Sequence, residues 1–384
     1  MANFKWTKII ETNIVVMKAV GMWPEKSFFT WDFYNIFFYF MVTFLLVIHV
    51  LLQTIQMVRI IDDFRLFQAA FSLALQQYNV LIKLLYYIVK FPKLKKFFHV
   101  LNNYQVFQPH NHDQEKMLES KLSAMKKYYI FLFYFMTFIA VSSLILYPIF
   151  DNLNSGEREL LLICWFPYDY KTSPYYQLTY FYQSVSITFA VFIVLQIDTL
   201  ALLLMTYIGL QCDLLCDNFR QLGYESSKNS NIESGFVNCI KHHQNLIKLS
   251  NHCADFTYML IFVIVATSSI AIGVTLSQVF LKVSSFNIIF LVVYILTVIF
   301  QMFQYCWFGS EIMYKSDKIP YSAFEMNFLD APLSTKKNLV IFLTCTQKPI
   351  QMPILKVTHL SLQTFMKVLQ TAWSYFALLI QLSR

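Results

Sequence analysis

Five polar residues recur near the carboxyl end, Gln363, Lys367, Gln370, Ser374 and Gln381, at spacings of four, three, four and seven. On a helix turning about 100° per residue they share one narrow face. Leu362, Phe365, Val368, Leu369, Ala372, Phe376, Leu379 and Ile380 cover the remaining surface, and Leu378 stands at the edge of the stripe. A hydrophilic line on an apolar helix can border a water-filled pore, and a ring of Leu378 side chains in a symmetric assembly could gate it by dewetting. The same residues can equally serve as hydrogen-bonding glue between packed helices, which needs no channel. Both readings stay open on spacing alone.

A second constellation mixes aromatic, aliphatic and small polar side chains: Phe71 and Leu75, Ser143 and Tyr147, Tyr180, Ser184 and Ile187, and Phe290 and Tyr294. Such a set suits a cavity for a small volatile ligand, because burying the ligand's carbon atoms supplies affinity while one or two hydroxyls orient it. Ordinary helix packing is the competing explanation for any one of these residues. Catalytic chemistry finds no footing. The sequence contains no GxSxG, HExxH or P-loop motif, its seven glycines leave little for phosphate-cradling loops, and Asp198 is a lone carboxylate within an apolar run. His110, His112, His242, His243 and His252, with Cys239 and Cys253, have spacings that fit no regular tetrahedral metal set. No enzyme activity, metal or cofactor is expected.

The elements that must position these residues are membrane helices. The 384-residue chain is 57% hydrophobic and 14% charged, whereas soluble domains carry about a quarter charged residues. A bilayer core about 30 Å thick needs roughly 20 apolar helical residues per crossing. Seven crossings satisfy that, at about Phe33–Ile55, Leu66–Val89, Tyr128–Phe150, Thr179–Tyr207, Phe256–Leu281, Asn287–Trp307 and Ser361–Leu382. Gln68, Gln76, Gln77 and Lys83 interrupt the second. The fold class is thus an all-α integral membrane protein with seven transmembrane helices. Residues 1–333 form six helices, with the ligand pocket in their outer half and cytosolic extensions. Residues 334–384 form a cytosolic helix and the seventh crossing.

With the amino terminus in the cytosol, 22 of the 30 Lys and Arg residues fall in inner segments and six in outer ones, Lys83 and Lys367 being inside helices. The positive-inside bias therefore predicts a cytosolic amino terminus and an extracellular carboxyl terminus. This distribution also accounts for the +8 net charge better than a nucleic-acid surface does. The first thirty residues show no removable signal peptide. Helical periodicity continues past the membrane over Ile208–Leu222 and Phe236–Asn251, predicting cytosolic stalks with a flexible connection over Gly223–Gly235. Ser334–Thr346 reads as a short cytosolic helix against the stalks, and Pro349 and Pro353 break the chain before the last crossing.

From Trp165 to the end the sequence resembles the insect odorant receptors. The resemblance rests on Trp165-Phe166-Pro167-Tyr168-Asp169, Ser173-Pro174-Tyr175-Tyr176, Tyr182-Gln183, Gln304-Tyr305-Cys306 with Gly309, and Lys336-Lys337-x-Leu. Gln347-Lys348-Pro349, then Leu360-Ser361-Leu362-x-Thr364-Phe365, and Ser374-Tyr375-Phe376-x-Leu378-Leu379 continue it. Phe328, Phe324 and Trp373 depart from the family's usual aromatics. The resemblance implies the odour-tuned subunit of a tetrameric, ligand-gated cation channel that assembles with the odorant receptor co-receptor through a cytosolic anchor region. It places the protein in the plasma membrane of olfactory sensory neurons and assigns Leu378, Gln381 and Leu382 to the pore constriction. A gustatory receptor is the nearest rival, because Ser374-Tyr375 and Gln381-Leu382 resemble that family's terminal signature. A G-protein-coupled receptor is the rival of another class, but Asp-Arg-Tyr and Asn-Pro-x-x-Tyr are missing and the predicted orientation is inverted. A transporter would call for paired, interrupted helices, which the sequence lacks.

Overall fold

The computed structural model describes residues 4–155, 158–223, 230–280, 285–329, 331–354 and 358–382. Helix α1 spans Glu11–Ala19. Helices α2 (Phe33–Met41) and α3 (Ile48–Arg59) form one rod through a π-helical turn at Val42–Val47. Helix α4 covers Phe64–Asn103. Helices α5 (His112–Ala124) and α6 (Phe131–Ser155) form a second composite rod, again through a π turn, at Met125–Ile130. The long helices α7 (Tyr175–Gln221), α8 (Ser230–Phe280) and α9 (Ser285–Phe324) follow. The short α10 (Leu333–Cys345) and the terminal α11 (Leu362–Leu382) complete the chain.

Five rods are long and apolar enough to cross a bilayer on composition alone: Phe33–Arg59, His112–Ile149, Tyr175–Gln221, Ile232–Phe280 and Ile288–Phe324. The remaining two crossings, α4 and α11, carry polar residues for opposite reasons. In α4 the interrupting residues turn inward, and Gln68, Gln77 and Lys83 are all buried within the bundle. In α11 they turn outward, as described below.

Helix α7, with 47 residues, is about 70 Å long at 1.5 Å per residue. It crosses a core of about 30 Å and projects well beyond it. Helices α8 and α9 project similarly, so the stalks are direct continuations of membrane helices. The structure lengthens several expected elements. Helix α4 runs on to Asn103 despite Pro92, α9 continues past Trp307 to Phe324, and α8 starts at Ser230, inside the stretch expected to be a loop. Tertiary packing supplies what local propensity lacks there.

The stalk end is a closed aromatic core. Phe342 of α10 packs on Phe219 of α7 at 5.2 Å and Phe236 of α8 at 6.1 Å between ring centroids, and all three are buried. Tyr207 donates to the Trp6 carbonyl at 2.8 Å, which ties the amino-terminal segment to α7. A charged chain rims this core: Lys315 Nζ reaches Asp213 at 2.9 Å and Glu311 at 2.8 Å, while Lys121 meets Asp213 at 2.7 Å. A two-residue ladder, Pro353–Ile354 with Thr358–His359, turns the chain into α11.

Candidate functional site

At the end of the bundle away from the stalks, α4, α6 and α9 separate around two adjoining chambers, the inner one bounded also by α7 and the outer one by α3, α8 and the loop before α7. The inner one has a volume of about 150 Å³. Gln76, Gln77 and Val80 of α4, Phe133, Thr137, Ala140, Val141 and Leu144 of α6, Ile187, Ala190, Val191 and Val194 of α7, and Phe290, Tyr294, Thr297, Val298 and Gln301 of α9 line it. An apolar chamber of this size admits a ring-sized or short-chain guest. The outer one is larger, about 610 Å³, and more polar. Its lining includes Gln53, Gln68, Ser72, Arg158, Glu159, Cys164, Lys171 and Gln278. Leu73, Leu144, Leu162, Phe290 and Tyr294 border both. The loop between α6 and α7 closes over them, held by a reciprocal pair in which Gln183 Nε2 donates to the Leu162 carbonyl at 3.1 Å and the Leu162 amide donates to Gln183 Oε1 at 3.3 Å.

Of the nine ligand-site residues expected from sequence, Ile187, Phe290 and Tyr294 line the inner chamber, and Phe290, Tyr294 and Tyr147 line the outer one. The other five line neither chamber. Phe71 packs on Phe67 at 5.8 Å in a cluster with Met57, Ala70 and Ala74, and Leu75 lies on the same helix, partly buried. Ser143 Oγ donates to the Ala140 carbonyl at 2.9 Å, and Tyr180 donates to the Ile145 carbonyl. Ser184 borders a separate crevice with Met41, Leu45 and Phe189. The difference is rotational. The cavity face of α4 runs through Leu73, Gln76, Gln77 and Val80, so the glutamines that look like interruptions of a membrane span are the ones facing inward. Ser143 and Ser184 each bond to their own helix, as in the 2.8 Å bond from Ser184 Oγ to the Tyr180 carbonyl, and so carry no directional information.

Below the inner chamber lies a polar cluster that sequence reading left as an isolated carboxylate. Lys83 Nζ meets Asp198 Oδ1 at 2.8 Å and Oδ2 at 3.0 Å, and both side chains are wholly buried. Tyr305 donates to Asp198 Oδ1 at 2.8 Å, and Gln301, which also lines the chamber, donates to Oδ2. Two ions and two hydrogen bonds thereby fasten α4, α7 and α9 together. Opposite charges in the second and fourth crossings were the available signal, since ions at that depth are found paired.

Helix α11 packs on α8 and α9 through Thr364, Val368 and Ala372. Gly273 of α8 makes this approach possible: a Cβ there would lie 2.8 Å from Tyr375 Cβ and 3.0 Å from the Ala372 carbonyl. Gln363, Lys367, Gln370, Ser374 and Gln381 are all exposed, on a face roughly 140° round the axis from the packed one. Leu378 is 56% exposed beside them. The side chain of Leu382 lies outside the described residues. Among the described residues the stripe bonds to no neighbouring helix of the protomer; Ser374 Oγ donates to the Gln370 carbonyl of its own helix at 3.1 Å.

The histidines face different environments. His242 is buried and bonded through Nε2 to Gln211 Oε1 at 3.0 Å, and burial, helped by His110 and His243, pushes it down to about 3. His243 packs on Phe342 at 5.3 Å.

A profile of the family described as the 7tm odorant receptors matches residues 63–373. Odorant receptor Or1 of Anopheles gambiae is 26% identical over 277 residues, which cover 64% of this chain and 65% of that protein. Odorant receptor 33a of Drosophila melanogaster is 21% identical over 243 residues, covering 62% of this chain and 64% of its own length. The structure of an insect olfactory receptor, OR5 of Machilis hrabei in complex with eugenol, superposes with a TM-score of 0.86 at 15% identity and covers 98% of both chains.

Proposed function

Because the chain belongs to the seven-transmembrane odorant receptor family, we propose that it is the odour-binding subunit of a ligand-gated, non-selective cation channel. It works with the odorant receptor co-receptor, in a hetero-oligomer that is a tetramer, in the plasma membrane of olfactory sensory neurons. Its amino terminus is cytosolic. A small volatile molecule binds in the inner chamber among α4, α6, α7 and α9, where Ile187, Phe290 and Tyr294 supply apolar contact. Burial of its carbons provides the free energy, at about 25 cal/mol per Å².

The observation that carries the channel reading is the outward polar face of α11. A row of amide, ammonium and hydroxyl groups at membrane depth is costly against lipid tails. The stripe has its back to its own bundle, so water shared with other subunits is the environment that suits it. Gln370, Ser374 and Gln381 then border the conduit, and Leu378 and Leu382 form its narrow part. A ligand opens such a conduit only through its higher affinity for the open arrangement. Helix α11 touches α8 and α9, and α9 also walls the chamber, which gives the ligand a direct mechanical route to the pore helix. The stalks and α10 serve as the anchor between subunits.

The test is co-expression with the co-receptor and a screen of volatiles for current. A responding volatile should lose potency in Ala190→Phe, which fills the inner chamber. No current with any co-subunit would refute the reading.

A further inference from the structure

Two glutamines in the wall of the outer chamber carry polar atoms that the described residues leave unanswered. Gln53 of α3 is 1% exposed, lines this chamber, and among the described residues neither its Oε1 nor its Nε2 has a hydrogen-bond partner. Gln68 of α4, 4% exposed, donates through Nε2 to Ser277 Oγ, but its Oε1 also lacks a partner. A buried amide without partners costs stability, and its persistence in a cavity wall marks a place where a guest can satisfy it. The stoichiometry is specific: two acceptor oxygens and one NH₂ donor.

We propose that the outer chamber is a second, head-group half of the ligand site and selects small amphiphiles carrying a hydroxyl. This rests on the reading of the inner chamber as the odorant site and names the chemical class that site takes. A hydroxyl donates its proton to Gln53 Oε1 or Gln68 Oε1 and accepts from Gln53 Nε2. An ether, ester or ketone can only accept, so it leaves both oxygens unanswered. The inner chamber, at about 150 Å³, is too small for a longer chain and its head together. Phe290 and Tyr294 border both chambers, so a straight tail can pass between them with its head still outside among the glutamines.

The experiment uses the purified full-length chain in lipid nanodiscs, with thermal stabilisation as the readout. The probes are 1-octanol and 1-methoxyheptane, which match in length and differ in the donor. The alcohol should reach half-maximal stabilisation at about tenfold lower concentration. Gln53→Leu should narrow that ratio, to within about twofold when combined with Gln68→Met, and the melting temperature of Gln53→Leu without ligand should not fall, because the substitution removes two unsatisfied atoms. Should Gln53→Leu fail to fold, Gln68→Met provides the same comparison with a partial narrowing. Ala190→Phe should weaken both probes alike. A wild-type ratio near one, a ratio unmoved by these glutamine substitutions, or probes indifferent to Ala190→Phe would overturn the two-chamber site. Absence of current with the co-receptor would leave these shifts in place and strike the channel reading instead.

Discussion

Two sets of polar side chains sit at membrane depth and are solved in opposite ways. Lys83, Asp198, Gln301 and Tyr305 are gathered from three helices and satisfy one another inside the bundle. Gln363, Lys367, Gln370, Ser374 and Gln381 lie on one helix and stay exposed. The first set is glue, and cutting it should cost stability; the second, among the described residues, bonds to no other helix of the protomer, and changing it should cost function. A polar stripe thus reveals its purpose by whether the fold turns it toward other helices or away from them.

The largest effect is expected at the glue. Asp198→Ala leaves the Lys83 ammonium buried without a counter-ion, which costs about 3–5 kcal/mol. Thermal melting should show a severe loss or no folded protein, whereas Lys83→Met combined with Asp198→Leu should recover most of it, since an apolar pair avoids desolvation altogether. A single mutant that melts like the parent would dissolve the contrast. Next, Gly273→Leu drives a side chain into Tyr375 and the Ala372 carbonyl. Overpacking of about 1–3 kcal/mol should pry α11 from α8 and alter gating before it unfolds the bundle, as currents and melting measured together would show.

The stalk contributes a pH term of similar size. His242 folds with its affinity for protons depressed to about 3, below an ordinary value near 6.5. Between those values the unfolded chain binds the extra proton. Stability from this group is therefore complete above about pH 6.5 and is lost as the pH falls toward 3. Melting at pH 5 should lie on the order of 1–2 kcal/mol below that at pH 7.5, and His242→Gln should flatten the difference. The smallest stability effects belong to the stripe: Gln370→Ala and Ser374→Ala should melt within about 0.5 kcal/mol of the parent. Leu378→Ala should do likewise and yet change conductance or ion selectivity.

Membrane crossings were legible because hydrophobic runs register composition, which needs no partner. The α11 stripe was legible for the same reason, since helical spacing by itself brings Gln370, Ser374 and Gln381 to one face. Two things were not. The inward faces of α4 and α6 depend on how each helix is rotated against its neighbours, and Gln76 and Gln77 looked like flaws until the fold turned them into a cavity wall. The Lys83–Asp198 pair spans 115 positions, a distance at which local periodicity carries no information. Lengthened helices, such as α9 running to Phe324, form because the stalk core stabilises turns that propensity alone leaves undecided.

The claim that α11 borders a shared aqueous conduit is tested most directly by cysteine accessibility. Ser374→Cys and Gln370→Cys, co-expressed with the co-receptor, would be exposed to a membrane-impermeant cationic methanethiosulfonate during ligand-evoked current. The parent chain serves as the background for Cys345, which is exposed. An irreversible change in current at both positions, faster with ligand than without, and none at the packed Ala372→Cys, is the predicted result. Currents from Ser374→Cys and Gln370→Cys that the reagent leaves untouched would contradict it.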